Sequence, residues 1–255
     1  MTQADLLQAA LTQSAIDLNC TPEDLVSGKK VLVESVPHPK ARAYLRLPFA
    51  CNLVSYGGGA VASVSPEVRE TVAAYMEKYP AEHLFETPNL HALDEALAPH
   101  GLRTCFMAEY FLPDLSVLRP LPCRYDLRLL EPADFKGLYL PQWSNALSDK
   151  RPHLDVLGVG AYDGDTLVGF AGCSADCDTM WQIGIDVLPP YRRQGIAAAL
   201  TARLALECLE RGKVPFYCAA WSNIPSVRNA IKAGFRPAWA ELTAKSFETV
   251  SEMNA

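Results

Sequence analysis

Two hydrophobic rhythms run along this chain. In residues 2–18 apolar side chains recur near a helical period, at Leu6, Leu7, Ala10, Leu11, Ala15 and Leu18, and predict an amphipathic helix. Beyond it, short apolar runs bounded by glycine and proline predict strands at 30–36, 51–56, 60–64 and 104–112. Gly57-Gly58-Gly59 joins the second and third of these runs and reads as a hairpin turn. It lacks the Lys-Ser/Thr ending of a phosphate loop, and no helix pattern starts at its third glycine. Thr21-Pro22 opens a short helical turn, and Ser65-Pro66-Glu67 caps a helix to about residue 79. A second helix is expected over 89–98.

Residues 113–122 contain three prolines and read as a connection. Past it the pattern is strand 125–130, a helix start at Glu131-Pro132, a polar segment 142–155, and a hairpin of 156–162 with 167–173. Then comes an apolar strand, 181–187, a turn at Leu188-Pro189-Pro190, and a compact loop opening directly into a helix over 198–211. The first turn of such a helix has unpaired N–H groups, which with the helix dipole favour an anion such as phosphate. Gly195 and Ala197 are small enough for close approach, and Arg192 and Arg193 add positive charge. A strand at 214–221, a short helix and Gly234-Phe235 follow.

The loop Arg192-Arg193-Gln194-Gly195-Ile196-Ala197 matches the Gln/Arg-x-x-Gly-x-Gly/Ala pyrophosphate signature, and Asn223, Ser226 and Gly234-Phe235 follow the next strand in order. On these residues the stretch 124–245 resembles the GNAT family of acetyl-CoA-dependent N-acetyltransferases. The resemblance implies an α/β fold, a mixed central sheet flanked by helices and splayed where acetyl-CoA enters. Residues 1–120 are expected to form an additional small α/β domain. It also implies that the main chain of Ile185 and Val187 pairs with the pantetheine arm. Main-chain N–H groups from Arg193 through Gln194, Gly195, Ile196 and Ala197 to Ala198 would hold the pyrophosphate, with Arg192 beside them. Asn223 and Ser226 would touch the cofactor arm.

Proton handling departs from the family. The position where many members carry a tyrosine acid is Ala230, and the place of a strand glutamate base falls near Trp181. The catalytic candidates are therefore Ser226, Asp176 and His153, with Tyr217 or a water as substitutes for the acid. Asp178, Asp155 and Glu109 are further carboxylates in reach of the pattern. Asp186 is expected to be an inward polar residue with a structural partner. Trp143, Trp181, Trp221 and Tyr217 are candidates for an acceptor wall, and Lys213, Arg228 and Lys232 for the 3′-phosphate. No Ser or Cys has a base beside it in the pattern, which favours direct transfer; the acceptor expected is a primary amine of a small molecule, with a larger acyl group, or a protein lysine or amino terminus as acceptor, left open. An acyl-CoA-binding module with weak or no catalysis is the alternative.

Composition changes this picture little. Charged residues make up 20% and the net charge is −6, against a nucleic-acid binder. Eight cysteines without a Cys-x-x-Cys pair read as free thiols, and no ligand spacing suggests a metal. No signal-peptide pattern and no membrane-length apolar run is present, so a cytoplasmic location without membrane contact is expected. For residues 1–120 three roles stay open: covering the acceptor site, supporting a homodimer, or stabilising the fold.

Overall fold

In the computed structural model, which describes residues 1–255, most of these expected elements form. Their order is α1 (Gln3–Leu18), α2 (Pro22–Val26), β1 (Lys30–Glu34), β2 (Cys51–Ser55), β3 (Ala60–Val64), α3 (Arg69–Lys78), α4 (Thr87–Leu97) and β4 (Leu102–Pro113). Next come β5 (Asp126–Leu130), β6 (Asp155–Asp163), β7 (Thr166–Ser174), β8 (Met180–Val187), α5 (Ile196–Glu210), β9 (Val214–Ala220), α6 (Ile224–Ala233), β10 (Phe235–Ser246) and α7 (Phe247–Met253). The architecture is α/β with mixed strand pairing. No helix is long and apolar enough to cross a membrane.

Two compact units form, one from residues 1–9 and 111–237, the other from 10–110 and 238–255. This division differs from a break at 120–124. Gln3 explains one end: its amide donates to Pro113 O (2.9 Å) and accepts from Leu115 N (2.9 Å), tying the start of α1 to the first unit. The other end follows from β10, whose residues 240–244 pair antiparallel with β2 and so join the second unit's sheet.

The second unit is built on β1 parallel to β3, β3 antiparallel to β2, and β2 antiparallel to β10. The three-glycine turn thus joins a true hairpin. Leu53, Ala62 and Val64 pack with Val72 of α3 and Leu93 of α4. Arg42 is buried between Asp17 and Glu241, and Trp239 Nε1 also donates to Glu241 (2.8 Å). Breaking one partner would strand a buried charge, so this cluster is structural. Ser65 does not cap: its side chain makes no capping bond, and α3 is preceded by a 3₁₀ turn, Pro66–Val68.

In the first unit β5, β6, β7 and β8 pair antiparallel in sequence, and β8 pairs parallel with β9. Helix α5 is apolar on most faces because it lies on the sheet, burying Ile196, Leu200, Leu204 and Cys208 against Val159, Val168 and Ile183. Phe135, Trp143, Ala146, Leu147 and Phe170 form a separate small cluster. The helix expected at Glu131 is only a 3₁₀ turn, Pro132–Phe135, and two further 3₁₀ turns lead to β6. Proline, serine and aspartate in this stretch hold the backbone in turns rather than in a helix.

Candidate functional site

Strands β8 and β9 part company. They pair only from Met180 opposite Val214 to Ile183 opposite Tyr217, although β8 continues to Val187 and β9 to Ala220. Leu188 N donates to Val168 O on β7 (3.0 Å). By the two-residue alternation of a strand, the main chain of Gly184 and Asp186 also faces β7, while that of Ile185 and Val187 faces the gap. Neither residue has a β9 residue opposite it. Val187 O accepts from Arg192 Nε (2.9 Å), which draws the loop after β8 toward the mouth of the gap.

At that mouth lies a cavity of about 220 Å³. Val187, Arg192, Arg193, Gly195, Ile196, Ala197 and Ala198 line it. Tyr191, Pro225, Arg228, Asn229 and Lys232 complete the wall. Four cationic side chains therefore surround one cavity in a chain of net charge −6. The loop turns through left-handed backbone at Arg193 (φ 60°) and at Gly195 (φ 84°), the cap of α5. That path is costly for an arginine, and left-handed turns of this kind are used to build the N–H concavities that hold an anion. A side chain at Gly195 would be strained by its φ and would approach Lys232 Nζ at 3.8 Å.

Other expected residues are used differently. Gln194 accepts from Tyr125 Oη (3.0 Å) and donates to Pro190 O (3.4 Å), so its side chain braces the loop. Asn223 caps α6, its Oδ1 accepting from Ser226 N (3.3 Å). Gln194, Asn223, Ser226 and Ile185 do not line the basic cavity. Lys213 does not line it and donates to Asp178 O (2.7 Å).

Ser226 has a partner that matters. Tyr217 Oη lies 2.7 Å from Ser226 Oγ. Tyr217 is the last β9 residue opposite β8, so its backbone stands at the apex of the gap. Its ring packs edge-on to Phe111 and tilted to Phe235. Burial raises its pKa, against the pull of hydrogen bonds from Ser226 and Asn229, so the phenol stays protonated at neutral pH. Ala230, one turn beyond Ser226, is fully buried.

A second cavity, about 180 Å³, lies over the other face of β7 and β8. Its wall comes from residues 144–148, Arg151, Asp155, Ser174, Asp176, Gln182 and Gly184. The backbone of residues 145–146 sits directly on a pair of facing glycines. A Cβ on Gly184 would fall 1.8 Å from Asn145 O, and one on Gly172 would fall 2.2 Å from Ala146 O. Asp186 fastens the same loop, accepting from Asn145 N (2.9 Å), Asn145 Nδ2 (2.6 Å) and Ala146 N (3.1 Å). Burial nevertheless raises its pKa. Asp186 is thus a structural clamp, as its place on the strand predicts.

Asp176 is buried and ion-paired through Oδ1 with Arg151, while its Oδ2 and Ser174 Oγ are buried without a hydrogen-bond partner. Asp155 accepts from Ser148 N (3.0 Å), and burial raises its pKa. His153 lies on an exposed 3₁₀ turn and lines neither cavity. Glu109 lies in the part of β4 that belongs to the other unit. The aromatic acceptor wall does not form: Trp143 is core, Trp221 is half exposed, and no tryptophan lines either cavity. Cys218 accepts from Gln182 Nε2 (3.1 Å). All eight cysteines are free, and no group of three metal-ligating side chains gathers.

A GCN5-related N-acetyltransferase from Kribbella flavida aligns at 16% identity and TM-score 0.50, over 75% of this chain and 82% of that one. A GCN5-related N-acetyltransferase-like protein from Streptococcus suis aligns at 23% and 0.47, over 62% and 69%. An acetyltransferase of the GNAT family from Novosphingobium aromaticivorans aligns at 19% and 0.43, over 56% and 66%, so the chain spans about two thirds of that protein's length. At 16% identity the likeness to the Kribbella flavida protein is one of fold. No curated protein sequence matches. The GNAT acetyltransferase family model matches residues 107–239, over half of the chain, and the chain belongs to that family.

Proposed function

We propose that this protein is an acetyl-CoA-dependent N-acetyltransferase that moves the acetyl group directly to a primary amine of a small molecule. The observation that carries the reading is the parting of β8 from β9 beside a four-cation cavity at the start of α5. An extended pantetheine arm suits the gap, pairing with the main chain of Ile185 and Val187 as an added strand would. A pyrophosphate suits the N–H groups of residues 193–198 and the charges of Arg192, Arg193, Arg228 and Lys232.

The chemistry then falls at the apex, beside Tyr217. A neutral amine attacks the thioester carbonyl carbon, the C–S bond breaks, and the departing thiolate takes a proton. Tyr217 Oη is the donor in this reading, and Ser226 Oγ, 2.7 Å away, orients it and returns a proton from solvent. The pair supplies an acid where Ala230 has none. Asp176 is not the base in this reading: its Oδ1 is held by Arg151. The amine's own proton leaves to water.

A thioester-turnover assay with a panel of primary amines tests the reading against a module that only binds acyl-CoA. Tyr217→Phe should lower kcat about 10²-fold, in the range of general acid catalysis, with acetyl-CoA affinity unchanged. Binding of acetyl-CoA with no turnover on any amine would favour the module.

A further inference from the structure

The cavity over β7 and β8 is lined by more carboxylates than cations. Its wall carries two carboxylates, Asp155 and Asp176, and one guanidinium, Arg151. With all three ionised the wall is left at one negative charge. Asp176 has a side chain with 0% exposure, and only one of its oxygens is engaged. The other oxygen and Ser174 Oγ both lack a hydrogen-bond donor or acceptor in the protein. Buried polar atoms without a protein partner are costly, and a charged one most of all. They mark a place built for a group that arrives from outside. A carboxylate oxygen accepts only, and a hydroxyl can accept as well as donate, so the missing group is a donor of hydrogen bonds with positive charge.

We propose, resting on the acetyl-transfer reading above, that this cavity seats the non-reacting cationic end of the acceptor, which is a short dication such as a diamine or an aminoalkyl guanidine. The held group is not the one acetylated. A carboxylate beside an ammonium stabilises the charged form, whereas the attacking nitrogen needs a free lone pair. At about 180 Å³ the cavity is below the roughly 300–1,000 Å³ of pockets that enclose a drug-sized ligand, so it suits a small polar group. Gly184 lines the cavity and is the chain neighbour of Ile183 at the apex and of Ile185 in the gap. A short aliphatic arm therefore suffices to link the two places, since one strand residue advances about 3.3 Å.

Calorimetric titration of the full chain with 1,4-diaminobutane, butylamine and 4-aminobutanoate, with and without CoA, tests this. Diaminobutane should bind at least tenfold more tightly than butylamine, and 4-aminobutanoate should not exceed butylamine. Asp176→Asn should bring diaminobutane down to the butylamine level. That substitution also disturbs the Arg151 pair, so Ser174→Ala serves as the second variant. It should weaken diaminobutane several-fold with an unchanged melting temperature. Equal binding of the two amines, binding of neither, or preference for 4-aminobutanoate overturns the inference. A parallel acetyl-CoA titration separates the failures. If acetyl-CoA binds and the dication is not preferred, this inference alone falls. If acetyl-CoA does not bind, the proposed function falls and takes the acceptor role with it.

Discussion

The two cavities on either side of β8 are made of opposite materials. The one at the start of α5 is a main-chain site: a loop in left-handed turns, small residues, unpaired N–H groups, and cations around the rim. The one over β7 and β8 is a side-chain site, with buried carboxylates against one arginine under a loop pressed onto glycines. The first fits an anion of fixed shape by backbone geometry. The second fits a cation by charge, and its selectivity rests on a few side chains. A main-chain site tolerates changes of side chain but not of backbone, and the other site should behave in reverse.

The largest effect that would break this contrast is expected at Gly184. Its Cβ would meet Asn145 O at 1.8 Å, so Gly184→Ala must lift the loop and strip Asp186 of its donors. Overpacking of this kind costs about 3 kcal/mol, or roughly 6–12 °C in melting temperature. Cation binding should be lost, while acetyl-CoA affinity changes little if the two sites are independent. Calorimetry and a thermal melt on the same sample check both.

A smaller effect sharpens the anion side. Arg228→Ala and Lys232→Ala remove exposed charges and leave the loop backbone intact. Each should weaken acetyl-CoA by about fivefold, roughly 1 kcal/mol, and flatten the salt dependence of binding. An unchanged salt slope in both variants would remove them from the site.

The smallest effect concerns pH. Burial raises the pKa of Asp155, so the folded state takes up a proton more readily than the unfolded chain. Its contribution to stability therefore improves as pH falls through the carboxylate range and is a cost at neutral pH. Asparagine can still accept from Ser148 N. Asp155→Asn should thus melt slightly higher than wild type at pH 7, with the gap closing toward about pH 4, and should bind 1,4-diaminobutane more weakly. A variant that melts lower at pH 7 would refute the assignment of burial as a cost.

The difference between the cavities also governs what the sequence discloses. The anion site is written in consecutive residues, 192–198, and the pattern of apolar strand, tight loop and helix start is visible without the fold. Its extra cations, Arg228 and Lys232, follow from α6 being brought beside α5. The cation site draws on residues 144–151, 155, 174–176 and 182–184, and no local pattern announces it. Asp176 was visible as a candidate, but its bond to Arg151 and its unpaired oxygen exist only after β7 and the preceding loop meet. His153 carried the right chemistry by type and lies outside on an exposed turn. Tyr217 is a candidate acid already in the sequence, but its pairing with Ser226 exists only once α6 lies beside β9. The division of the chain was hidden for the same reason, since strand partners at long separation, such as β10 with β2, leave no trace in the local sequence.

The most direct measurement is a calorimetric titration of acetyl-CoA into the wild-type protein and into Gly195→Trp. Gly195 has φ 84° at the cap of α5, and a bulky side chain there would fill the basic cavity without entering the core. The account predicts one acetyl-CoA per chain for the wild type and a loss of at least 100-fold in the variant, with the variant still folded by its thermal melt. No binding to the wild type, or equal binding to both proteins, would contradict it.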